Sequence, residues 1–152
     1  MHVVLVEPEI PPNTGNISRT CAATGTTLHL VEPLGFSLSE RHLRRAGLDY
    51  WEHLQLVLHP DLMAFLAQVE GKRLWLLTTK GTRFYTDVKY EPDDCLLFGR
   101  ETAGLPDWLL ARYPDRCLRI PMGPGIRSLN LSNAVAIVLY EALRQQGFAG
   151  LG

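Results

Sequence analysis

The chain has 152 residues, 46% of them hydrophobic, which is enough for one well-buried core and leaves no room for a second independently folded domain. Its formal net charge is -1, so no overall positive field recruits nucleic acid from a distance, and any such contact rests on local patches. Cys21, Cys95 and Cys117 are odd in number, widely spaced and without a Cys-x-x-Cys pair, which argues against a disulfide framework or a zinc site and makes the cytosol the natural compartment.

The opening Met1 to Glu7 stretch has no basic start and no cleavage site, so no signal sequence is expected, and no apolar run is long enough to span a membrane. Val3 to Val6 reads as a buried strand, followed by the polar cluster Pro11 to Arg19 and a helix from Asn13 to Thr24 that Gly25 stops. A strand at Thr27 to Val31, a helix at Ser39 to Ala46 closed by Gly47, and a strand at Leu54 to Leu58 come next. Asp61 to Val69 predicts a helix closed by Gly71, and Leu74 to Thr78 a further strand. Lys80 to Asp94, with Gly81, Pro92 and several charges, is the one long irregular stretch and is either functional or merely long.

Cys95 to Phe98 predicts a strand, the cluster Phe98 to Pro106 follows it, and Pro106 to Arg112 is helical. Cys117 to Ile120 is the last strand and leads into Pro121-Met122-Gly123-Pro124-Gly125, then Ile126 to Asn133. The final helix runs from about Asn130 to Gln146 with Gly147 as its stop, and its nearly all-apolar first half demands burial. Strand and helix alternate throughout, so the fold is α/β with a mainly parallel sheet flanked by helices, in a single domain covering residues 1–152.

Each polar cluster follows a predicted strand, so all three gather at one sheet edge, where open α/β sheets place their ligands. Ser128, Asn130 and Asn133 are therefore site candidates, although each is equally an ordinary helix N-cap residue. Neither a G-x-G-x-x-G fingerprint nor a G-x-x-x-x-G-K-[ST] loop is present, so the familiar nucleotide cradles are missing. No G-x-S-x-G elbow surrounds Ser128, which weakens a hydrolase reading. His2, His29, His42, His53 and His59 show no metal-ligand spacing, and packing or surface roles are expected for them; no metal is expected.

The clusters in order are Asn13-x-Gly15-Asn16-x-x-Arg19, then Phe98-Gly99-x-Glu101-x-x-Gly104-Leu105-Pro106, then Ile120-Pro121-Met122 with Arg127-Ser128-Leu129-Asn130-Leu131-Ser132-Asn133. With them the chain from Val3 to about Gly147 resembles the SPOUT class of RNA methyltransferases. Glu7-Pro8-Glu9-Ile10-Pro11-Pro12 and Arg44-Arg45-Ala46-Gly47-Leu48-Asp49-Tyr50 look like its small branch of the TrmL type, the tRNA wobble-position 2'-O-methyltransferases. The resemblance implies a C-terminal trefoil knot, which periodicity alone never shows.

It also implies S-adenosyl-L-methionine as cofactor, held by loops that here correspond to Leu77, Thr78, Gly99, Gly104, Ile120, Met122, Ser128 and Leu129. The implied catalytic set is Arg19, Glu101, Ser128 and Asn130, with Glu101 suited to orient Arg19 through a bidentate bond. A homodimer is implied, in which Arg19 of one subunit serves the other's cofactor site. Val135, Val138, Leu139 and Tyr140 are candidates either for its contacts or for the chain's own core. The substrate implied is a tRNA anticodon stem-loop, met by Arg41, Arg44, Arg45, Lys80 and Arg83, with Phe84, Tyr85, Tyr50 and Trp51 able to stack on a base. The competing readings are 2'-O-methylation of another RNA position and a catalytically silent RNA-binding module, and retention of Arg19, Glu101, Ser128 and Asn130 together speaks against the second.

Overall fold

Val3, Val4, Leu5 and Val6 are at most 1% exposed, a burial that a strand attains only when both faces of its sheet are covered. The computed structural model describes residues 1–38 and 51–152 and places these four in the first of seven strands among those residues. The elements are β1 (His2–Val6), α1 (Pro11–Thr24), β2 (Thr27–Val31), β3 (Leu56–His59), α2 (Leu62–Gln68), β4 (Leu74–Leu77), β5 (Arg83–Phe84), β6 (Cys95–Phe98), α3 (Asp107–Arg112), β7 (Cys117–Arg119) and α4 (Leu131–Gln145). Their order across the sheet is β3-β2-β1-β6-β4-β7-β5, and every pairing is parallel.

Alternate residues of each strand point to opposite faces, which yields two cores. Val3, Leu5, Leu28, Leu30, Leu96, Phe98 and Leu118 meet Ile17 and Cys21 of α1 and Val135, Val138 and Leu139 of α4. Val4, Val6, Val31, Leu76 and Leu97 meet Phe65 of α2 and Leu109 of α3 on the other side. The expected α/β architecture is therefore present as helices on both faces of a parallel sheet. No helix among the described residues is long and apolar enough to cross a membrane.

Several boundaries shift for identifiable reasons. Helix α1 begins at Pro11 rather than Asn13, because proline at the first helical positions lacks an N–H that would have no partner there. Strand β3 starts at Leu56 rather than Leu54, since its ladder with β2 runs from Leu28 opposite Leu56 to Val31 opposite His59. The helix expected at Ser39 to Ala46 lies outside the described residues.

The irregular stretch is packed rather than merely long. It contributes β5, and it buries Val88 and Tyr90 in the α4 core. Gln145 of α4 holds it from both sides, donating from Nε2 to the Val88 carbonyl and accepting from the Tyr90 N–H, each at 2.9 Å. The final helix divides its candidates between the two alternatives. Val135, Val138 and Leu139 are fully enclosed by the chain's own core and are not free for another subunit, whereas Tyr140 is 45% and Ile137 37% exposed.

Beside the α2 face, three histidines from β1, β2 and β3 form a row. His59 Nε2 lies 2.9 Å from His29 Nδ1, His29 Nε2 lies 2.9 Å from His2 Nδ1, and His2 Nε2 lies 2.8 Å from Asp93 Oδ1. Asp93 also pairs with Lys72, and the hydrogen bonds from Lys72 and then His2 hold its carboxyl down at about 2. An ionised Asp93 only accepts, so each neutral ring in turn donates from Nε2 and accepts at Nδ1. Burial, then the neighbouring His2 and His59, push His29 down to about 4. The unfolded chain therefore takes up a proton below its ordinary 6.5 that the folded chain refuses until about 4. Stability from this group is complete above pH 6.5 and is lost as the pH falls toward 4, by about 3 kcal/mol in total. Urea midpoints measured from pH 7.5 to pH 4 should show this decline; a flat profile would contradict a buried, neutral His29.

Candidate active site

The carboxyl ends of β4, β6 and β7 meet the N-terminus of α1 around a cavity of about 590 Å³, within the range that holds a small molecule or cofactor. The sheet order creates it. Strands β6 and β7 lie on either side of β4, so the loops leaving them part over the end of β4 and open a crevice there. Leu77, Thr78, Gly99, Gly104, Ile120, Met122, Ser128 and Leu129 all line this cavity, together with Glu101 and Asn130. The sequence-derived cofactor set is thus one surface, with aliphatic side chains alternating with glycine and loop backbone.

The loop after β6 is shaped by contact with itself. Arg100 and Gly104 exchange backbone hydrogen bonds, and a Cβ placed on Gly99 would lie 2.0 Å from the Gly104 carbonyl carbon and 2.1 Å from the Leu105 nitrogen. Only glycine permits that approach.

Three separated motifs are joined by hydrogen bonds at the rim of the cavity. Glu101 accepts from the Glu9 N–H at 2.9 Å, the Ile10 N–H at 2.8 Å and Asn13 Nδ2 at 3.2 Å. Asn130 Nδ2 donates to Asn13 Oδ1 at 3.0 Å, while Asn130 Oδ1 accepts from the N–H groups of Ser132 and Asn133 as the N-cap of α4. Asn130 is therefore both the cap of α4 and part of the cavity lining. The carboxylate of Glu101 sits at the positive end of α1, where the helix dipole favours its charge. Its oxygens are engaged by the start of α1 rather than by Arg19, so the expected bidentate contact to Arg19 is not made within one chain.

Arg19 lies farther along α1, is exposed, does not line the cavity and has no ion pair among the described residues. It shares an outward stripe of α1 with Asn16, spaced three residues before it. Lys80 stands at the mouth of the cavity, where its Nζ pairs with Asp107 at 2.9 Å on an open surface. Arg83 turns the other way, toward the Trp75 ring and the Asp115 carbonyl at the start of β7. Arg41, Arg44, Arg45 and Tyr50 lie outside the described residues. Phe84 is 44% exposed, as stacking on a base requires.

Ile10, Arg100, Thr102 and Arg127 also line the cavity. Arg100 and Thr102 lie in the second motif and Arg127 in the third, so their place in those loops was the available signal, although none was singled out. Ile10 was not singled out either, because only the crossing of two loops brings it to the rim.

The chemistry available here is binding and orientation. Among the described residues no histidine lines the cavity, so none of them is placed to activate Ser128 as a nucleophile. The thiols of Cys21 and Cys95 are buried, which pushes each up to about 12 and leaves them inert. An apolar slot walled by loop backbone, next to an exposed cation on the adjoining helix, suits a cofactor that carries its own reactive group.

Known proteins agree with that description. Residues 1–140 match the SpoU rRNA Methylase family. A protein from Saccharophagus degradans named tRNA (cytidine(34)-2'-O)-methyltransferase is 56% identical over 150 residues, covering 98% of this chain and 97% of that one. Its namesake from Escherichia coli is 53% identical over 151 residues, covering 99% and 96%. A solved structure giving insights into the 2-OH methylation of C/U34 on tRNA superposes with a TM-score of 0.92 at 48% identity, covering 96% of this chain and 95% of that one. An AdoMet-bound rRNA methyltransferase from Sinorhizobium meliloti gives 0.82 at 30% identity, covering 94% and 55%.

The close approach at Gly99 makes a sharp prediction. Gly99→Ala should abolish measurable cofactor binding in calorimetry, whereas Gly123→Ala, where a Cβ meets nothing within 4 Å, should bind as the unaltered protein does. Equal affinities for the two variants would show that the loop does not need its present shape.

Proposed function

The chain belongs to the SpoU rRNA methylase family, and from that premise we propose that it transfers a methyl group from S-adenosyl-L-methionine to the ribose 2'-hydroxyl of the tRNA wobble nucleotide, a cytidine or a modified uridine. The observation that carries the proposal is the junction of all three motifs at one cavity through Glu101, Asn13 and Asn130. The near full-length identity to tRNA (cytidine(34)-2'-O)-methyltransferases supports the choice of substrate.

When bound, S-adenosyl-L-methionine supplies a methyl group already activated on a sulfonium. The apolar lining from Leu77, Ile120, Met122 and Leu129 is suited to the adenine, and the loop backbone around Gly99 to Gly104 to its polar edges. Asn130 is held by Asn13 and by the start of α4, so it offers a fixed hydrogen-bonding group near Ser128 for ribose or cofactor oxygens. Arg19 stays protonated and is not a base; its role is to stabilise charge developing on the 2'-oxygen, or to hold an adjacent phosphate. The proton leaves to that phosphate or to water.

Arg19 reaches this chemistry from a second copy of the chain. The exposed Ile137 and Tyr140 of α4 and the outward stripe of α1 form the contact face of a homodimer, which gives each cavity its neighbour's Arg19. Residues 80–82 cross β7 so tightly that a Cβ on Gly81 would lie 2.6 Å from the Leu118 carbonyl carbon, which supports a threaded, knotted C-terminal half. The protein works in the cytosol as a single SPOUT-type domain. Lys80, Arg41, Arg44 and Arg45 are its contacts to the anticodon stem-loop, and Arg83, engaged by Trp75 and the Asp115 carbonyl, is not among them.

Incubation with labelled cofactor and bulk tRNA, followed by nucleoside mapping, should place 2'-O-methylation at the wobble position; no incorporation into any tRNA fraction would overturn the proposal. Arg19→Ala should lower kcat by about 10²–10³-fold with cofactor affinity nearly unchanged, as loss of one charge-stabilising donor does. Mixing Arg19→Ala with Asn130→Ala protomers should restore part of the activity, because one composite site of each mixed dimer is intact. Ile137→Glu should sediment as a monomer and lose turnover, and an active monomer would refute the shared site.

A further inference from the structure

The methyl-transfer reading leaves Glu9 without a part, although it stands in one of the signature stretches of the sequence. It does not line the cavity. Its carboxylate reaches across to the loop after β6, where Oε1 accepts from the Thr102 N–H at 3.1 Å and from the Thr102 hydroxyl at 2.7 Å. Glu101, next to Thr102, returns bonds to the N–H groups of Glu9 and Ile10. Each carboxylate thus grips the backbone of the other's loop.

The segment carrying Glu9 has no room to withdraw. Gly35 backs it so closely that a Cβ there would lie 2.7 Å from the Glu9 Cα, and the Gly35 N–H donates to the Pro8 carbonyl at 2.9 Å. Glu7 turns the chain out of β1 in the left-handed region, at φ 54°, a conformation that non-glycine residues seldom adopt. Ile10, the residue after Glu9, then caps α1 and lines the cavity with its side chain.

We propose that Glu9 is a positioning residue for methyl transfer: with Glu101 it clasps the cofactor loop to the N-terminus of α1, so that the shape of the cavity and the placement of the helix bearing Arg19 are set together. The proposal rests on reading the cavity as the S-adenosyl-L-methionine site. Thr102, Ala103 and Gly104 are cavity wall, so a loop released at Thr102 is a wall released. The hydrogen bonds from Thr102 also hold the Glu9 carboxyl below the usual carboxylate range, which keeps it an acceptor at neutral pH.

The test compares Glu9→Ala, Glu9→Gln and Thr102→Val with the unaltered protein, by calorimetry with S-adenosyl-L-methionine and by steady-state kinetics on tRNA. Glu9→Ala should weaken cofactor binding about tenfold, the low end for losing hydrogen bonds to a charged group on a partly open surface. It should also lower kcat at saturating cofactor, since α1 loses its tie. Glu9→Gln keeps an oxygen that accepts both bonds and should recover most of each loss. Thr102→Val removes only the hydroxyl, leaves the fold least disturbed, and should raise the cofactor Kd by a smaller factor; if Glu9→Ala fails to fold, this variant decides. Unchanged Kd and kcat in Glu9→Ala, an unchanged Kd in Thr102→Val, or a Gln variant as impaired as the Ala one would each overturn the proposal while the functional reading stands. If the unaltered protein binds no S-adenosyl-L-methionine, that reading fails first and carries this one with it.

Discussion

A single line of hydrogen bonds, from Glu101 through Asn13 to Asn130, ties the loop after β6 to the first and last helices of the chain. The positions it joins are 88 and 117 residues apart in sequence. Each member has two duties. Glu101 also receives the backbone at the start of α1, and Asn130 also caps α4, so the polar groups that shape the cavity satisfy helix ends that would otherwise lack partners. Removing Glu101 or Asn130 would expose both a helix terminus and a cavity wall.

That line sits where it does because the sheet beneath it is buried on both faces. With β1 buried between its parallel neighbours β2 and β6, the strand ends are the nearest places where polar chain can meet water. The order β6-β4-β7 then parts two loops over the end of β4, which makes one end of the sheet the functional end. Elsewhere on the sheet, the buried polar groups are structural: the histidine row leading to Asp93, and Asp94 receiving the Trp75 indole and the Arg73 guanidinium. The same device, a carboxylate closing a set of buried donors, serves stability there and geometry at the cavity.

The helices divide in a similar way. Val135, Val138 and Leu139 of α4 lock the helix to the sheet, while Ile137 and Tyr140, on the same helix, face outward. An apolar face of that kind, next to the outward stripe of α1 that carries Arg19, gives the proposed dimer a physical basis. Arg19 itself does not line the cavity of its own chain, so in the proposed dimer it is taken from a neighbour.

Much of this was legible in the residues alone. Buried strands followed by polar loops foretell a parallel sheet with its loops gathered at one edge, and the residues from Leu77 to Leu129 that the resemblance assigns to a cofactor line one cavity, because strand ends in a parallel sheet all point the same way. What the chain could not disclose by itself was pairing across distance. That Glu101 would hold the start of α1 rather than Arg19, that Arg83 would turn toward Trp75, and that Glu9 would answer Glu101 through Thr102 all depend on which loops cross in space. Local sequence decides which residues seek burial or hydrogen-bond partners; only the folded sheet order decides which partner is within 3 Å, since a hydrogen bond is directional and short while hydrophobic burial is neither.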